Sequence, residues 1–431
     1  MSKKFLLTAI VAVSVASALA LPSTQAGAAA KKAKPKPKVT KTTKAPAKTT
    51  AADTTVAGAK GSTIKVMTEA PVDSQIAPYP NIPEAARVYA AFINDKGGIN
   101  GHKLEIVVCD DQADAAKAAD CARKAVEQKV VANVGGFTID MSRSIPILEE
   151  NKIAWFGACC PIVAQENTSK ISFPLGFVAG FPPAAAIKML EDGCKKMVDV
   201  YGDLPVADVF HTAFVNGLKS KGADASKVKT VKIPLAPGDY SPQAAQVGAD
   251  ADCVFANISE INWPPLITAI DGIGGHPRYY GPQGNLDGKV AEQFPKQTEG
   301  GVVANVYPNI VAPQWKDYRD SLVKYKAKDL DWNSLAGLGT WTAFTAFTKV
   351  VEGMTGEINN KTFLEAASKA SKIDTGGMIG VVDLTKEWTG GGGNFPRIFN
   401  RTIFFDVIKG GKLSPLDNKP YDMTNAFDGK P

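Results

Sequence analysis

Residues 93–136 read INDKGGINGHKLEIVVCDDQADAAKAADCARKAVEQKVVANVGG. Within this stretch, paired glycines end a helical pattern, a β-rich run follows, and an Ala-rich amphipathic pattern leads into a second β-rich run. Strands that alternate with helices in this way pair in parallel, because each helix carries the chain back across the sheet. The stretch therefore predicts an open parallel sheet with helices on both of its faces.

The same alternation extends to both sides of this stretch. Before it, TIKVMTEA (63–70) predicts a strand and 82–98 a helix, and after it 139–152 predicts a helix and IAWFG (153–157) a strand. A second series follows, with predicted helices over 184–193, 207–222 and 264–275 and predicted strands over 194–203, 226–235, 252–259, 278–282 and 300–308. Two series of similar size predict an α/β protein with two doubly wound parallel-sheet lobes.

The loops that follow the strands are the expected ligand site. In open parallel sheets the site lies outside the carboxyl ends of the strands, so a cleft between two such lobes is walled by these loops. They are residues 68–81, 135–140, 157–161, 201–208, 257–263 and 281–288.

The N-terminal residues differ in composition from the rest of the chain. Residues 1–28 begin with Lys3 and Lys4, continue with an apolar run and end in an A-x-A pattern, which is typical of a secretory signal peptide. Residues 29–61 are mostly Lys, Pro, Thr and Ala, and they contain too few large apolar side chains to fold, which predicts an extended linker. No cysteine closely follows the apolar run, so we expect export to the periplasm or cell envelope without a lipid anchor.

The positive charge of the chain belongs to this N-terminal tail. The first 50 residues contain ten lysines and no acidic residue, so the remaining residues carry 39 basic and 43 acidic side chains. The folded part is therefore slightly acidic, and nothing in it predicts nucleic-acid binding. We interpret the tail as a solvated tether, and adhesion to an anionic cell surface is the alternative.

Several motifs carry a resemblance to a known family. They are N-x-x-GGINGxK at 94–103, CDDQ at 109–112, GDYSPQ at 238–243 and GADADCVFANIS at 248–259. Over roughly residues 62–415 the chain closely resembles the type I periplasmic-binding proteins, the solute receptors of branched-chain amino-acid-type ABC importers. The resemblance implies a monomer that needs no cofactor. It would capture a small ligand, such as an amino acid or a related carboxylate or amide, and deliver it to a membrane permease.

The resemblance also implies that the chain crosses three times between the lobes, near Phe177, Val306 and Gly376. The first lobe would then comprise residues 62–177 and 307–376. The second lobe would comprise residues 178–306 and 377–431. A ligand would be trapped when the hinge closes the two lobes on each other.

Six cysteines in an exported chain suggest disulfides, although fifteen complete pairings exist. Cys109 ends a predicted strand and Cys121 lies in the helix that returns along it, which favours a bond between them. Cys194 and Cys253 stand at the starts of two strands that are neighbours in the usual order of such a sheet. We therefore expect a second bond between these two.

Cys159 and Cys160 are adjacent in the sequence and have two interpretations. Bonded α-carbons lie about 3.8 Å apart, below the range of ordinary disulfides, so a bond here closes a strained eight-membered ring. Such strain is a known feature of ligand sites. The alternative is a pair of buried thiols that act as small apolar filler.

The resemblance implies that the first lobe grips the ligand carboxylate with hydroxyls and with backbone N–H groups at a helix start. Thr138 is the matching hydroxyl, ahead of the predicted helix that contains Ser142 and Ser144. A helix N-cap is a second, compatible role for Thr138. Ala158 and Cys160 would add backbone contacts, with Cys160 standing where the family has a small hydroxyl residue.

The ammonium of an amino acid lacks its usual partner in this chain. The family places a carboxylate in a G-P-E-G loop of the second lobe, whereas this chain has the neutral Gln283 in Gly-Pro-Gln-Gly at 281–284. An unpaired buried ammonium is costly. Either Glu260 or Asp203 supplies the charge, or the ligand has no ammonium.

Four aromatic residues fall in loops or helix starts that are expected to face the cleft. Ordinary core packing is the alternative for each one, but together they favour a roomy apolar pocket with a few polar anchors. They are Tyr79, Phe137, Trp263 and Trp341.

Other functional classes find little support in the sequence. The three histidines, His102, His211 and His276, show no metal-ligand spacing, so we expect neither a metal nor a cofactor. No nucleophile elbow is present, and no histidine is placed to activate Cys159 or Cys160, so we expect no catalysis. A binding protein that docks on a signalling receptor, instead of on a permease, remains an alternative.

Overall fold

The computed structural model of the protein describes residues 61–74, 78–203 and 207–431. The predicted signal peptide (1–28) and all but the last residue of the predicted linker (29–61) lie outside the described residues. Among the residues described, no helix is both long enough and apolar enough to cross a bilayer.

The first sheet has five parallel strands in the order β2-β1-β3-β4-β5. The strands are β1 (Ile64–Ala70), β2 (Leu104–Asp110), β3 (Ala132–Val134), β4 (Ala154–Phe156) and β5 (Ser172–Phe173). The helices that cover or flank this sheet are α1 (Asn81–Asp95), α2 (Ala115–Glu127), α3 (Ser144–Glu150), α4 (Ala164–Thr168), α10 (Lys316–Lys324), α11 (Leu335–Glu352) and α12 (Asn360–Lys369). Because helices lie on both faces, β1 is buried along nearly its whole length.

The second sheet is mixed. Strands β7, β6, β8, β9 and β10 are parallel neighbours in that order, and β11 joins β10 antiparallel, followed by β12. The strands are β6 (Met197–Gly202), β7 (Lys229–Ile233), β8 (Cys253–Asn257), β9 (Arg278–Pro282), β10 (Val302–Asn305), β11 (Thr402–Lys409), β12 (Lys412–Pro415) and β13 (Tyr421–Asp422), which pairs with β11. The accompanying helices are α5 (Phe181–Glu191), α6 (Ala207–Ser220), α7 (Ser241–Val247), α8 (Trp263–Gly272), α9 (Gly288–Gln293) and α13 (Thr424–Phe427).

The predicted two-lobe α/β fold is confirmed, with two differences. The antiparallel strands after residue 401 were not predicted, and they make the second sheet mixed instead of wholly parallel. The helix predicted over 139–152 begins only at Ser144. The Asp140 side chain accepts the Ser142 N–H at 2.8 Å, and this local turn competes with a helical start.

The chain passes between the two sheets three times. It leaves the first sheet after β5 and returns to it after β10, through residues 174–180 and 306–312. The third passage is longer, because residues 383–400 remain on the edge of the first sheet. There Arg397 Nε donates to the Ser172 carbonyl at 2.8 Å, and Asn400 Nδ2 donates to the Leu175 carbonyl at 3.0 Å. We therefore propose that the last lobe boundary lies near Asn400 instead of near Gly376.

The six cysteines approach one another in three pairs with their sulfur atoms at bonding distance. The Cα–Cα distances are 5.7 Å for Cys109 and Cys121, 5.9 Å for Cys194 and Cys253, and 3.8 Å for Cys159 and Cys160. Strand register explains the pair of Cys194 and Cys253. Cys253 on β8 lies opposite Met197 on β6, which brings it close to Cys194, just before β6.

Candidate functional site

Each sheet has a point at which the strand order reverses, and the two walls of the candidate site lie there. In the first sheet the reversal falls between β1 and β3, and in the second between β6 and β8. A crevice opens where the chain leaves two neighbouring strands in opposite directions. The first wall therefore consists of the loops after β1 and β3, and the second includes the loops after β6 and β8.

Tyr79 and Phe137 form the first wall together. Tyr79 follows β1 and Phe137 follows β3, and their rings meet edge to face with centroids 4.8 Å apart. Phe137 is buried, whereas Tyr79 is partly exposed, so Tyr79 presents the accessible surface of the pair. The structure thus brings together two residues that the sequence analysis selected separately.

Thr138 lies in the same loop but does not stand at a helix start. It is buried, and its hydroxyl lies near the Asp111 carboxylate, where it limits the rise that burial causes in the pKa of Asp111. Helix α3 begins six positions later, and Ser144 donates to the Met141 carbonyl at 3.4 Å while Ser142 is exposed. Thr138 therefore does not cap helix α3, and it is not among the residues that line the cavity described below.

Backbone donors remain in this loop. The N–H of Gly135 donates to the Phe156 carbonyl at 2.9 Å, and that of Phe137 donates to the Glu69 carbonyl at 3.0 Å. The alternating N–H groups of Gly136 and Thr138 find no acceptor among the described residues. Two such N–H groups are suited to an anion or a carbonyl oxygen.

The second wall is acidic. Glu260 follows β8, is partly exposed, and lies 3.7 Å from the ammonium of Lys289. Asp287 precedes α9 and accepts the N–H groups of Lys289 and Val290, each at 3.0 Å. Asp331, in the loop between α10 and α11, faces the same space from the first lobe. Three carboxylates thus surround one lysine.

A cavity of about 260 Å³ lies between the two lobes, lined by the loops after β1, β8 and β9 and by the segment before α11, but by no described residue of the loops after β3 and β6. The first lobe lines it with Pro78, Tyr79, Pro80, Asn81, Leu330, Asp331, Ser334, Leu335 and Ala336, and the second lobe with Glu260, Gln283, Gly284, Asn285, Asp287 and Lys289. A second cavity of about 270 Å³ shares Gln283, Asp287 and Asp331 with it and extends toward Asp406. The space suits a small solute.

Mutual repulsion and burial raise the pKa values of groups in this cavity. Burial first, and then the charges of Glu260 and Asp331, raise the pKa of Asp287 to about 6. Burial also raises the pKa of Asp331. Tyr79 and Glu260 line the same cavity from opposite lobes, and burial, followed by the Glu260 charge, raises the pKa of Tyr79. The field in the cavity therefore favours a cationic group.

Gln283 stands where the resemblance implies an acidic residue. Its side chain binds the backbone of residues 306 and 307, where the chain returns to the first lobe. It is buried, and its Oε1 accepts the N–H groups of Val306 and Tyr307 at 3.1 and 3.3 Å. Its Nε2 donates to the Tyr307 carbonyl at 3.4 Å. A glutamate at this position has no side-chain donor for that carbonyl, which gives a physical reason for an amide here.

The remaining selected residues lie away from the cavity. Trp263 packs edge to face on Tyr279 in the core of the second lobe, and Trp341 packs on Tyr89 and Tyr318 in the core of the first. Asp203 is exposed and lies 3.7 Å from the ammonium of Lys232. Both tryptophans therefore fit the packing alternative.

Ala158 and Cys160 are buried in the loop after β4. The Ala158 carbonyl accepts the N–H groups of Leu175 and Gly176 at 3.2 and 3.0 Å, so this loop supports the first passage between the lobes. Neither residue lines the cavity between the two walls.

Sequence reasoning missed two of the acidic residues in the cavity. The pattern Asp287-Gly288 before a helical run signals an N-cap, and that signal was available although it does not reveal the cleft. Asp331 gives no signal of its own, because only the packing of the α10–α11 loop brings it opposite the second lobe.

A buried Asp–His pair lies beneath the second wall. Asp199 on β6 is buried, and its carboxylate is 2.6 Å from Nδ1 of His211 on α6, whose ring stacks on Tyr201. Burial raises the pKa of Asp199, and the hydrogen bond that the His211 ring donates to the Asp199 carboxylate is the main cause that raises the pKa of His211. The pair holds α6 against the sheet beside the loop after β6.

We expect His211→Leu to destabilise the protein by about 2–3 kcal/mol, because it leaves the buried Asp199 carboxylate without its partner. Breaking a fully buried ion pair usually costs about 3–5 kcal/mol. We expect less here because the His211 side chain is 29% exposed. A histidine whose pKa is raised on folding stabilises below its unfolded pKa, near 6.5, and this contribution fades as the pH rises through the folded pKa. The cost of an unpaired Asp199 carboxylate rises with pH instead, because burial raises the pKa of Asp199. Urea unfolding at pH 6 should show a smaller loss for His211→Leu in an Asp199→Asn background than in the wild-type background, and an equal loss in the two backgrounds contradicts the ion pair.

The model of a protein family described as periplasmic binding protein matches residues 77–394. A comparison with curated protein sequences finds no match.

Three solved structures illustrate the similarity of the fold. A leucine-binding protein from Thermotoga maritima MSB8 is 18% identical, with a TM-score of 0.63, and the match covers 82% of this chain and 98% of that one. A solute-binding protein of an ABC transporter from Rhodopseudomonas palustris BisB5, in complex with 3,4-dihydroxybenzoic acid, is 16% identical, with a TM-score of 0.65 and coverage of 84% and 97%. A fatty acid ABC transporter substrate-binding protein from Thermomonospora curvata is 17% identical, with a TM-score of 0.63 and coverage of 86% and 95%. At these identities the likeness shows the fold.

Proposed function

The chain belongs to the periplasmic binding protein family, and from this premise we propose that it captures an α-amino acid, or a closely related amine-bearing carboxylate, between its two lobes. Solute-binding proteins of ABC transporters bind small ligands and interact with a permease. We propose that this chain is exported, acts as a monomer, catalyses no reaction and delivers its ligand to such a permease.

The observation that carries the proposal is the acidic cavity. Glu260, Asp287 and Asp331 line one cavity with Lys289, the one cation among the described residues that line it, and burial first, then the charges of Glu260 and Asp331, raise the pKa of Asp287. A ligand ammonium placed among them relieves the repulsion between these charges and gains charge-assisted hydrogen bonds. Glu260 is thus the proposed replacement for the acid that Gln283 does not supply.

The first wall suits the other end of the same ligand. The N–H groups of Gly136 and Thr138, without acceptors among the described residues, are the proposed donors to a carboxylate. The Tyr79 ring would cover the ligand's apolar part. The Thr138 hydroxyl, which lies near the Asp111 carboxylate, is not part of this proposal.

An aromatic or aliphatic carboxylate without an ammonium is the second candidate. Leu235 and Ile261 are 50% and 60% exposed on the rim of the second lobe, where Asn262 Nδ2 ties them together by donating to the Leu235 carbonyl at 3.1 Å. The structures solved with 3,4-dihydroxybenzoic acid or described as fatty-acid-binding belong to proteins of the same fold.

A thermal-shift screen of L-amino acids, their amides, benzoate and medium-chain fatty acids tests the choice. A ligand at a hundred times its Kd stabilises the native state by about 2.7 kcal/mol, which is readily measured. We expect the largest shift from an amino acid. Stabilisation by carboxylates alone would select the second candidate.

We expect the affinity for the amino acid that gives the largest shift to fall about tenfold between pH 7 and pH 5. Asp287 has a pKa of about 6, so it is charged at pH 7 and mostly protonated at pH 5, where its attraction for an ammonium is lost. Calorimetric titrations at the two pH values measure the change. Asp287→Asn should bind more weakly at pH 7 and lose most of the pH dependence, while an unchanged pH profile in this variant would exclude Asp287 as the cause.

A further inference from the structure

The Cys159–Cys160 pair lies at the point where the loop after β4 meets the hinge. Cys159 is fully buried, whereas Cys160 is 6% exposed. The pair contacts two of the three passages between the lobes, residues 174–180 and residues 306–312.

The first passage packs directly on the backbone of this loop. The N–H groups of Leu175 and Gly176 donate to the Ala158 carbonyl. A Cβ at Gly176 would lie 1.7 Å from the Cys159 carbonyl oxygen and 3.1 Å from Pro161 Cδ. The first passage therefore cannot shift without displacing the two cysteines or their neighbours.

The second passage meets the same pair through Tyr307. A Cβ at Gly339 on α11 would lie 2.4 Å from Cys159 Cβ and 3.0 Å from the Tyr307 hydroxyl, so all three groups converge on one point. The Tyr307 hydroxyl is buried and has no hydrogen-bond partner among the described residues. Its backbone N–H is held by Gln283, which also lines the ligand cavity. A continuous set of contacts therefore connects Cys159, Tyr307 in the second passage, and Gln283 in the cavity.

We propose that Cys159–Cys160 is a thiol–disulfide exchange site that controls the hinge. The disulfide ring fixes the loop against both passages, and reduction opens the ring and loosens them. This inference rests on the proposed function in one respect, namely that the lobes close on a ligand. The experiment below needs no ligand, so it can fail independently of the proposed function.

The proposed reductant is a dithiol. One of its thiolates attacks Sγ of Cys160, the more exposed residue of the pair, and the Cys159 sulfur leaves as a thiolate that takes up a proton. The second thiol of the dithiol then attacks the mixed disulfide, and Cys160 leaves as a thiol. The products are the two protein thiols and a cyclic disulfide, so two electrons and two protons pass from the dithiol to the protein.

Hydrogen exchange measured by mass spectrometry tests the proposal on the whole exported chain. A non-reduced digest first establishes that Cys159 and Cys160 are bonded. Exchange is then compared between the oxidised protein and the variant Cys159→Ser/Cys160→Ser, with Cys109→Ala/Cys121→Ala as the matched control for loss of a first-lobe disulfide. We expect the amides of residues 175–178 and of Val306 and Tyr307 to exchange at least tenfold faster in the serine variant, and to remain protected in the control.

Wild-type protein treated with dithiothreitol gives a second measurement if the serine variant does not fold. We expect the same two segments to lose protection when mass mapping shows Cys159 and Cys160 reduced, and to regain it after reoxidation. Two free thiols in the untreated protein would overturn the proposal. Unchanged exchange of both segments on loss of the bond, or equal deprotection in the control, would also overturn it.

Discussion

Gly176→Ala is expected to destabilise the native state by about 3 kcal/mol and to weaken ligand binding at the same time. The new Cβ would lie 1.7 Å from the Cys159 carbonyl oxygen and 2.4 Å from its carbonyl carbon. Both are backbone atoms of a buried loop, so no flexible side chain can move aside. The loop after β4 or the first passage between the lobes must shift, and the hinge geometry changes with it.

Urea unfolding of Gly176→Ala and of Gly272→Ala measures this effect against a matched control. Gly272 ends α8, has open space around the position of a Cβ, and should accept alanine with a change of no more than about 1 kcal/mol. Equal stability of Gly176→Ala and the wild type would show that the passage does not pack on the cysteine loop as described.

Glu260→Gln is expected to weaken binding of an amino acid by at least tenfold, which corresponds to about 1.4 kcal/mol. A charge-assisted hydrogen bond contributes about 1.5–3 kcal/mol, and the partly buried position of Glu260 opposite Tyr79 reduces its screening by water. The amide keeps the size of the side chain and removes only its charge. Calorimetry on the two proteins measures the difference.

Asp203→Asn is the matched control, because Asp203 is exposed on the same lobe and pairs with Lys232 outside the cavity. It should leave the affinity unchanged. Gln283→Glu should weaken binding and loosen the hinge, because it removes the Nε2 donor to the Tyr307 carbonyl and introduces a buried carboxylate beside Asp287. If Gln283→Glu binds an amino acid more tightly and Glu260→Gln binds it equally well, the ammonium lies at residue 283 and the assignment to Glu260 is wrong.

Strand and helix patterns predicted the architecture because they depend on local periodicity. The alternation around residues 93–136 fixes parallel strands, and every strand predicted between residues 63 and 308 is present. The antiparallel strands β11 to β13 were not predicted, and the one that joins them to the sheet, β11, pairs with β10 about one hundred residues earlier in the chain. Helix α3 begins later than predicted because the Asp140 side chain accepts the Ser142 N–H in an Asx turn. Hydrophobic periodicity contains no information about such a hydrogen bond.

The candidate site was predicted only in part, for a different reason. Tyr79 and Glu260 follow strands at the two reversal points and line the cavity, whereas Phe137, which also follows such a strand, is buried and only supports Tyr79. Trp263 and Trp341 also lie near helix starts, but the direction of a side chain around a helix decides between cleft and core, and both face the core. Asp331 enters the cleft from a loop with no strand before it, and only tertiary packing reveals it.

The central claim is that the cleft captures an amine-bearing solute between the two lobes. A calorimetric titration of the exported chain at pH 7 with the amino acid that most raises its melting temperature tests the claim most directly, with benzoate and a medium-chain fatty acid titrated in parallel. We expect saturable binding of one amino acid per chain and at least tenfold weaker binding by Glu260→Gln. Saturable binding of benzoate or the fatty acid, with no binding of any amino acid, would contradict the claim.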